Sequence, residues 1–273
     1  MKTDVSSKKV GTGRSRSYQT QAIIIKQTKL GEVDKIVTIY TPEFGKLKAV
    51  AKGACRPGSK LGGNVEPLTH SLMMLARGRN LDIITQSQTI DVFPALKNDL
   101  WRTSCGFYIL ELIDSFTVEN SENHPLFDLL LDTLHRLCQD DNSETILRYF
   151  ELHLLNYLGY RPQLRECVIC DSPVKPTVNF FNPDRGGILC PGCCQEQPGS
   201  RPLSVDALKI LRLWQSCDYT TARRVKLGAE LRLELEQVMQ EYIKYLLQRE
   251  VKSIAWLEEL KKKGYLSMSM KIS

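Results

Sequence analysis

An α+β chain is predicted: a small β-barrel at the front, then an α-helical domain that carries a four-cysteine module. Three observations predict it. Five short stretches between residues 18 and 92 alternate apolar with polar side chains and are punctuated by turn residues. From Pro94 the apolar period lengthens to that of a helix. Two Cys-x-x-Cys pairs, 19 residues apart, then interrupt the helical pattern.

The elements follow in chain order. Residues 1–17, MKTDVSSKKVGTGRSRS, are polar and basic with almost nothing apolar, so they are expected to be a disordered arm. The arm has no amphipathic face, which argues against a transit peptide. Strands are expected over 21–29, 33–41, 46–53, 68–76 and 80–90, with turns at Gly31, Pro42–Gly45, Pro57-Gly58, Gly62-Gly63-Asn64 and Gly78. Along the third, Leu47, Ala49 and Ala51 face one side, and Lys46 and Lys48 the other. Five strands in about 70 residues, with no competing helix pattern, fit an OB-fold over 18–92, a barrel whose face and loops bind oligonucleotides. Periodicity counts strands without ordering them, so an SH3-like barrel remains open.

Helices are expected over 100–118, 125–138 and 144–158. Pro125 suits a first turn, and Asn142-Ser143 precedes the third helix as a cap. After the cysteines, Ser204 is the expected cap of a helix over 203–215, and a long amphipathic helix covers 228–248. The helical domain thus has two parts, 93–164 and 198–260, around a module at 165–197. A basic tail, 261–273, follows.

Residues Glu166–Glu196 hold five of the nine cysteines. Cys167, Cys170, Cys190 and Cys193 form C-x2-C-x19-C-x2-C, within the range of a zinc site. Each Cys-x-x-Cys curl offers two thiolates, and two curls complete a tetrahedron. Gly186-Gly187 allows the chain to reverse before the second pair, and Phe180, Phe181 and Ile188 supply a small apolar pack. Cys194 is then the spare, although a Cys190-x3-Cys194 pair, which breaks the symmetry with Cys167/Cys170, remains open. Four thiolates leave no open position for a reacting water, so one structural Zn2+ is expected rather than a catalytic one. Chain reversal onto one metal, plus an odd cysteine count, fits a reducing cytoplasm better than a disulfide scaffold.

Charge is unevenly distributed. Residues 1–80 carry net +10, residues 81–160 net −9, and residues 161–273 net +5. Different domains therefore face different partners, and the basic front suits a polyanion. Lys35, Lys46, Lys48, Lys52, Arg56 and Lys60 fall on consecutive strands and one loop, and are the expected DNA-facing set. Tyr18, Tyr40 and Phe44 are either stacking platforms or core. Gly53–Lys60 approaches a phosphate-binding loop, but its Ser59-Lys60 order is reversed and no helix opens after it. No hydrolase or dinucleotide motif appears, and no apolar run reaches the length of a membrane span.

The run LGEVDKIVTIYTPEFGKLKAVAKGACRPGSKLGG, residues 30–63, resembles the start of the bacterial recombination mediator family RecO. Gly31-Glu32, Thr41, Gly45-Lys46 and Ala51-Lys52-Gly53 carry the likeness, as does the GG-x-x-C-x-x-C ending at Gly186–Cys193. The resemblance implies binding of single- and double-stranded DNA, annealing of complementary strands without ATP, and no enzyme activity. It also implies work with RecR and the single-strand-binding protein SSB, so that RecA is loaded during repair, in the cytoplasm beside the nucleoid. The SSB tail, acidic and ending in hydrophobic residues, needs a basic rim, for which Arg102, Arg136 and Arg148 are the expected residues. Cys194 and the 17-residue arm depart from the family pattern.

Overall fold

The period-2 segment folds into five strands: β1 (Ser17–Leu30), β2 (Asp34–Thr41), β3 (Gly45–Ala51), β4 (His70–Ala76) and β5 (Asp82–Asp91). The computed structural model describes residues 16–265, so most of the expected basic arm and the end of the expected tail lie outside the described residues. The strands close in the order β1-β2-β3-β5-β4. All neighbours are antiparallel except β3 and β5, which meet in parallel at Ala49↔Asp82 and Val50↔Ile83. This order and parallel closure make the barrel an OB-fold and remove the SH3-like alternative.

The barrel has a filled interior of Ala22, Ile24, Val37, Ile39, Leu47, Ala49, Met73, Leu75 and Ile84. The unbroken run Ala22–Ile25 is explained by burial on both faces. Ala22 and Ile24 point inward, whereas Ile23 and Ile25 join the core of the helical domain. The barrel is therefore docked, not tethered.

Eight helices follow among the described residues: α1 (Pro94–Lys97), α2 (Leu100–Phe116), α3 (His124–Gln139), α4 (Ser143–Tyr157), α5 (Val205–Ser216), α6 (Tyr219–Ala222), α7 (Ala229–Leu247) and α8 (Lys252–Lys262). Asp99, Asn123, Asn142 and Ser204 each accept a backbone N–H at a helix start, which satisfies donors that the helix itself leaves unpaired. The N-terminus of α8 is held from a distance. Glu111 on α2 accepts the amides of Lys252 and Ser253, both at 2.9 Å, and the Ser253 hydroxyl at 2.6 Å. A carboxylate there also complements the helix dipole. Lys261, expected in the tail, lies in α8 and bonds to Glu236 and Glu144.

Between α4 and α5 a three-stranded sheet forms in the order β7-β6-β8, from β6 (Asn179–Asn182), β7 (Gly187–Leu189) and β8 (Arg201–Leu203). Phe181 and Ile188 of this sheet are buried in the helical core, and the Phe181 ring meets Tyr242 of α7 edge-on at 5.3 Å. The module is an inserted unit seated on the helices.

Candidate metal knot and nucleic-acid interface

The sulfurs of Cys167, Cys170, Cys190 and Cys193 all lie within 4.8 Å of one another. Tetrahedral zinc with sulfurs at about 2.3 Å requires neighbouring sulfurs about 3.8 Å apart, and Cys170 Sγ sits 3.9 Å from Cys190 Sγ. Backbone bonds hold the two curls against each other: Val168 N donates to the Ile188 carbonyl at 2.9 Å, and Ile188 N to Gln163 at 2.9 Å. Gly187 is required at that crossing, because a Cβ would lie 2.6 Å from the Gln163 carbonyl oxygen. Gly186, at φ +66°, makes the turn before it.

The donor set fits a soft divalent ion such as zinc. The Ser172 hydroxyl and amide, hydrogen-bonded to Cys170, lower its thiol to about 6. Hydrogen bonds with Cys190 and, next, Cys170 push the Cys193 thiol up to about 12. Four sulfurs this close ionise together only around a cation. Cys194 stands outside the group, its Sγ 3.3 Å from the Pro191 carbonyl.

The six expected DNA-facing cations have different fates. Lys46 is 9% exposed. Its ammonium donates to the Asp114 carbonyl at 2.5 Å and lies 3.3 Å from the Asp114 carboxylate. It points outward from β3, as the alternation requires, but the end of α2 covers that face. Lys46 is therefore withdrawn from the DNA-facing set. Lys35 is half-buried and pairs with Glu66 at 2.9 Å, and Lys48 is exposed but pairs with Glu119 at 2.5 Å. Lys52, Arg56 and Lys60 are exposed, and no carboxylate among the described residues pairs with them. Their loop is stapled to the barrel. Gly53 N donates to Asp34 at 2.7 Å, Cys55 N to the Val33 carbonyl at 2.9 Å, and Asn64 Nδ2 to the Ser87 carbonyl at 2.9 Å.

Arg77 and Arg79, on the β4–β5 turn, are exposed cations that the sequence reading missed. Gly78 between them marked only a turn. The turn leads into Asp82, which pairs with Ala49, so it adjoins the closing edge of β3. Arg77 also lies over the Tyr18 ring at 4.8 Å. Of the three aromatic residues, Tyr40 is core at 1% exposure. Tyr18 and Phe44 are half-buried, 4.8 Å apart.

The expected basic rim for a partner does not form, because each arginine has an internal partner. Arg102 donates to the carbonyls of Leu137 and Cys138, at 2.8 and 2.9 Å, and to Asp141. Arg136 lies over the Tyr219 ring at 4.5 Å and pairs with Asp132. Arg148 is buried against Glu151 at 2.5 Å, and Glu151 also accepts from the Tyr108 hydroxyl at 2.6 Å. Burial pushes the Glu151 carboxyl up to about 7, against the pull of Arg148 and Tyr108. Exposed apolar side chains lie elsewhere. A cleft of about 390 Å³ between β1, α2 and α8 has Phe107 in its wall, with Lys26, Arg249 and Lys252 around it. Glu111 and Asp114 also line it, but both already accept bonds from neighbouring elements.

An OB barrel with a basic loop unpaired among the described residues, docked on a helical domain with a four-sulfur cluster, is an architecture of the oligonucleotide-binding class. Comparison with known families narrows it. Residues 16–93 match the model described as "Recombination protein O N terminal", and residues 97–255 match "Recombination protein O C terminal". The chain belongs to the recombination protein O family, a family of DNA repair and recombination proteins. It is 39% identical over 247 residues to "DNA repair protein RecO" of Dehalococcoides mccartyi (strain ATCC BAA-2266 / KCTC 15142 / 195), covering 90% of this chain and 97% of that one. The protein of the same name from Roseiflexus sp. (strain RS-1) is 40% identical, covering 91% and 87%. That of Symbiobacterium thermophilum is 35% identical, covering 89% and 98%. Among the described residues no helix is long and apolar enough to cross a membrane.

Proposed function

We propose that this chain is a non-enzymatic DNA-binding and strand-annealing protein of recombinational repair, acting with RecR and SSB to load RecA. One observation carries the reading: Lys52, Arg56 and Lys60 stand exposed and unpaired on a loop pinned to an OB barrel. Two single strands repel through their phosphates. A surface that neutralises both lowers the barrier to their encounter, and base pairing then drives the reaction without ATP. The four-sulfur knot supports a structural role, because a zinc ion held by all four ligands has no open position for chemistry. The Phe107 cleft, with two lysines and an arginine around it, supports an SSB-tail site there more than the three internally partnered arginines do.

The test is a salt titration of single-stranded DNA binding. Each phosphate contact contributes about −0.7 to the slope of log affinity against log salt. The loop alone gives a slope of roughly −2, and the loop with Arg77 and Arg79 roughly −3.5. Lys52→Glu, Arg56→Glu and Lys60→Glu together are expected to lower affinity at least a hundredfold and to abolish annealing, with the melting temperature unchanged. Absence of salt-dependent binding would sink the reading in favour of a protein-only adaptor, and full annealing by the triple variant would move the DNA site away from this loop. For the metal, chelation is expected to remove amide protection across residues 165–195, since such sites contribute on the order of 10 kcal/mol to local folding. Protection that survived zinc removal would show the module to be held by its apolar contacts alone.

A further inference from the structure

The end of α2 and the loop after it lie along β3. Asn120 N donates to the Lys46 carbonyl at 2.9 Å, and residues Lys46 and Glu119 pair as a parallel bridge. Gly45, at φ +61°, permits this approach, because a Cβ there would lie 1.9 Å from the Ser121 carbonyl oxygen. The acids of this segment meet the lysines of the barrel: Asp114 lies 3.3 Å from Lys46 and 3.9 Å from Lys26, and Glu119 lies 2.5 Å from Lys48.

These contacts are of two kinds. Lys46–Asp114 is part-buried, and with the backbone bond it fastens the two domains together. Lys48–Glu119 is open to solvent, with side chains 47% and 43% exposed, and a pair of that kind adds little to stability. It does, however, remove one cation from the outer surface of β3, the strand that leads into the basic loop. A carboxylate so placed occupies the position that a DNA phosphate would take.

We propose that Glu119 is an internal phosphate mimic that competes with DNA for Lys48 and so sets the affinity of the barrel. The inference rests on the DNA-binding reading above. Binding then requires exchange of one carboxylate for one phosphate at Lys48. Such an exchange keeps the affinity of the site low enough for strands to be released after pairing.

The experiment is single-stranded DNA binding by the full chain across a salt series, for the wild type, Glu119→Gln, Lys48→Gln and the double variant. Glu119→Gln is expected to raise low-salt affinity about three- to tenfold and to steepen the salt slope by about 0.7, the value of one added phosphate contact. In the Lys48→Gln background the same change is expected to do nothing, which is the coupling a double-mutant cycle measures. Glu230→Gln, an exposed acid at the start of α7, controls for the general change in net charge and is expected to be silent. A melting temperature unchanged in Glu119→Gln separates the effect from folding. If the wild type binds and Glu119→Gln binds no better, the inference falls and the barrel reading stands. It also falls if the gain persists without Lys48, since Glu119 then acts only as bulk charge. If no form binds DNA at any salt, the barrel reading falls and takes the inference with it.

Discussion

The loop at residues 52–60 and the helices α2–α4 use the same cations for opposite ends. Lys52, Arg56 and Lys60 have no acidic partner among the described residues and stand in water. Arg102, Arg136 and Arg148 each have an internal partner, be it a carbonyl, a ring or a carboxylate. A basic residue is free for recognition where no partner inside the chain holds it, and must exchange that partner where one does. Net charge therefore indicates which partner a region attracts, and local pairing indicates which residues remain to meet it. Lys46 lies on the boundary: it belongs to the basic half by sequence and to the domain junction by contact.

Arg148→Ala is expected to have the largest effect of any change to these cations. The side chain is 6% exposed, and that of Glu151 is fully enclosed. Removing the guanidinium takes the charged donor from an enclosed carboxyl, which must then keep its proton or stand uncompensated, at a cost of up to about 3–5 kcal/mol. Chemical denaturation is expected to show that loss, while the salt slope of DNA binding by the folded fraction stays at its wild-type value. The triple loop variant is expected to do the reverse. If Arg148→Ala left stability intact, or reduced the slope, the division between structural and recognition cations would not hold.

What the sequence revealed follows the same division. Strand and helix periods are local properties, and all five barrel strands and the five longest helices were legible from them. The cysteine spacing was legible too, because a metal imposes a fixed geometry on closely spaced residues. Contacts between distant segments were not. Nothing near Lys46 in sequence announces Asp114, 68 residues away. Nothing near Lys252 announces that Glu111 caps α8, so that helix had no local start signal and went unread. Arg136 follows an ordinary helical pattern, and its rings arrive from α4 and α6. The small sheet β6–β8 was reduced to an apolar pack because its strands are three or four residues long, too short for a period to register.

A smaller effect refines the comparison on its buried side. Burial raises the Glu151 carboxyl from its ordinary 4.5 to about 7, although Arg148 and Tyr108 both favour its ionised form. Glu236 on α7, 3.9 Å from Arg148, raises it further. Between these two values the unfolded chain releases this proton while the folded chain keeps it. The folded state then binds more protons, so the Glu151 contribution to stability falls as pH rises from about 4.5 to about 7. His70 and His153 act in the opposite sense. Burial lowers both, so their contribution falls as pH drops through the region below 6.5. The wild-type curve is therefore a partial cancellation. Glu151→Gln isolates the carboxyl, because the amide still accepts from Tyr108 and Arg148 but does not titrate. Urea denaturation at intervals from pH 4.5 to 7.5 is expected to give a stability difference, variant minus wild type, that grows across the window and levels off above it. A difference that stayed flat would mean that Glu151 is ionised throughout, with Arg148 outweighing burial. The pair would then resemble the exposed ion pairs of the barrel more than its enclosure implies.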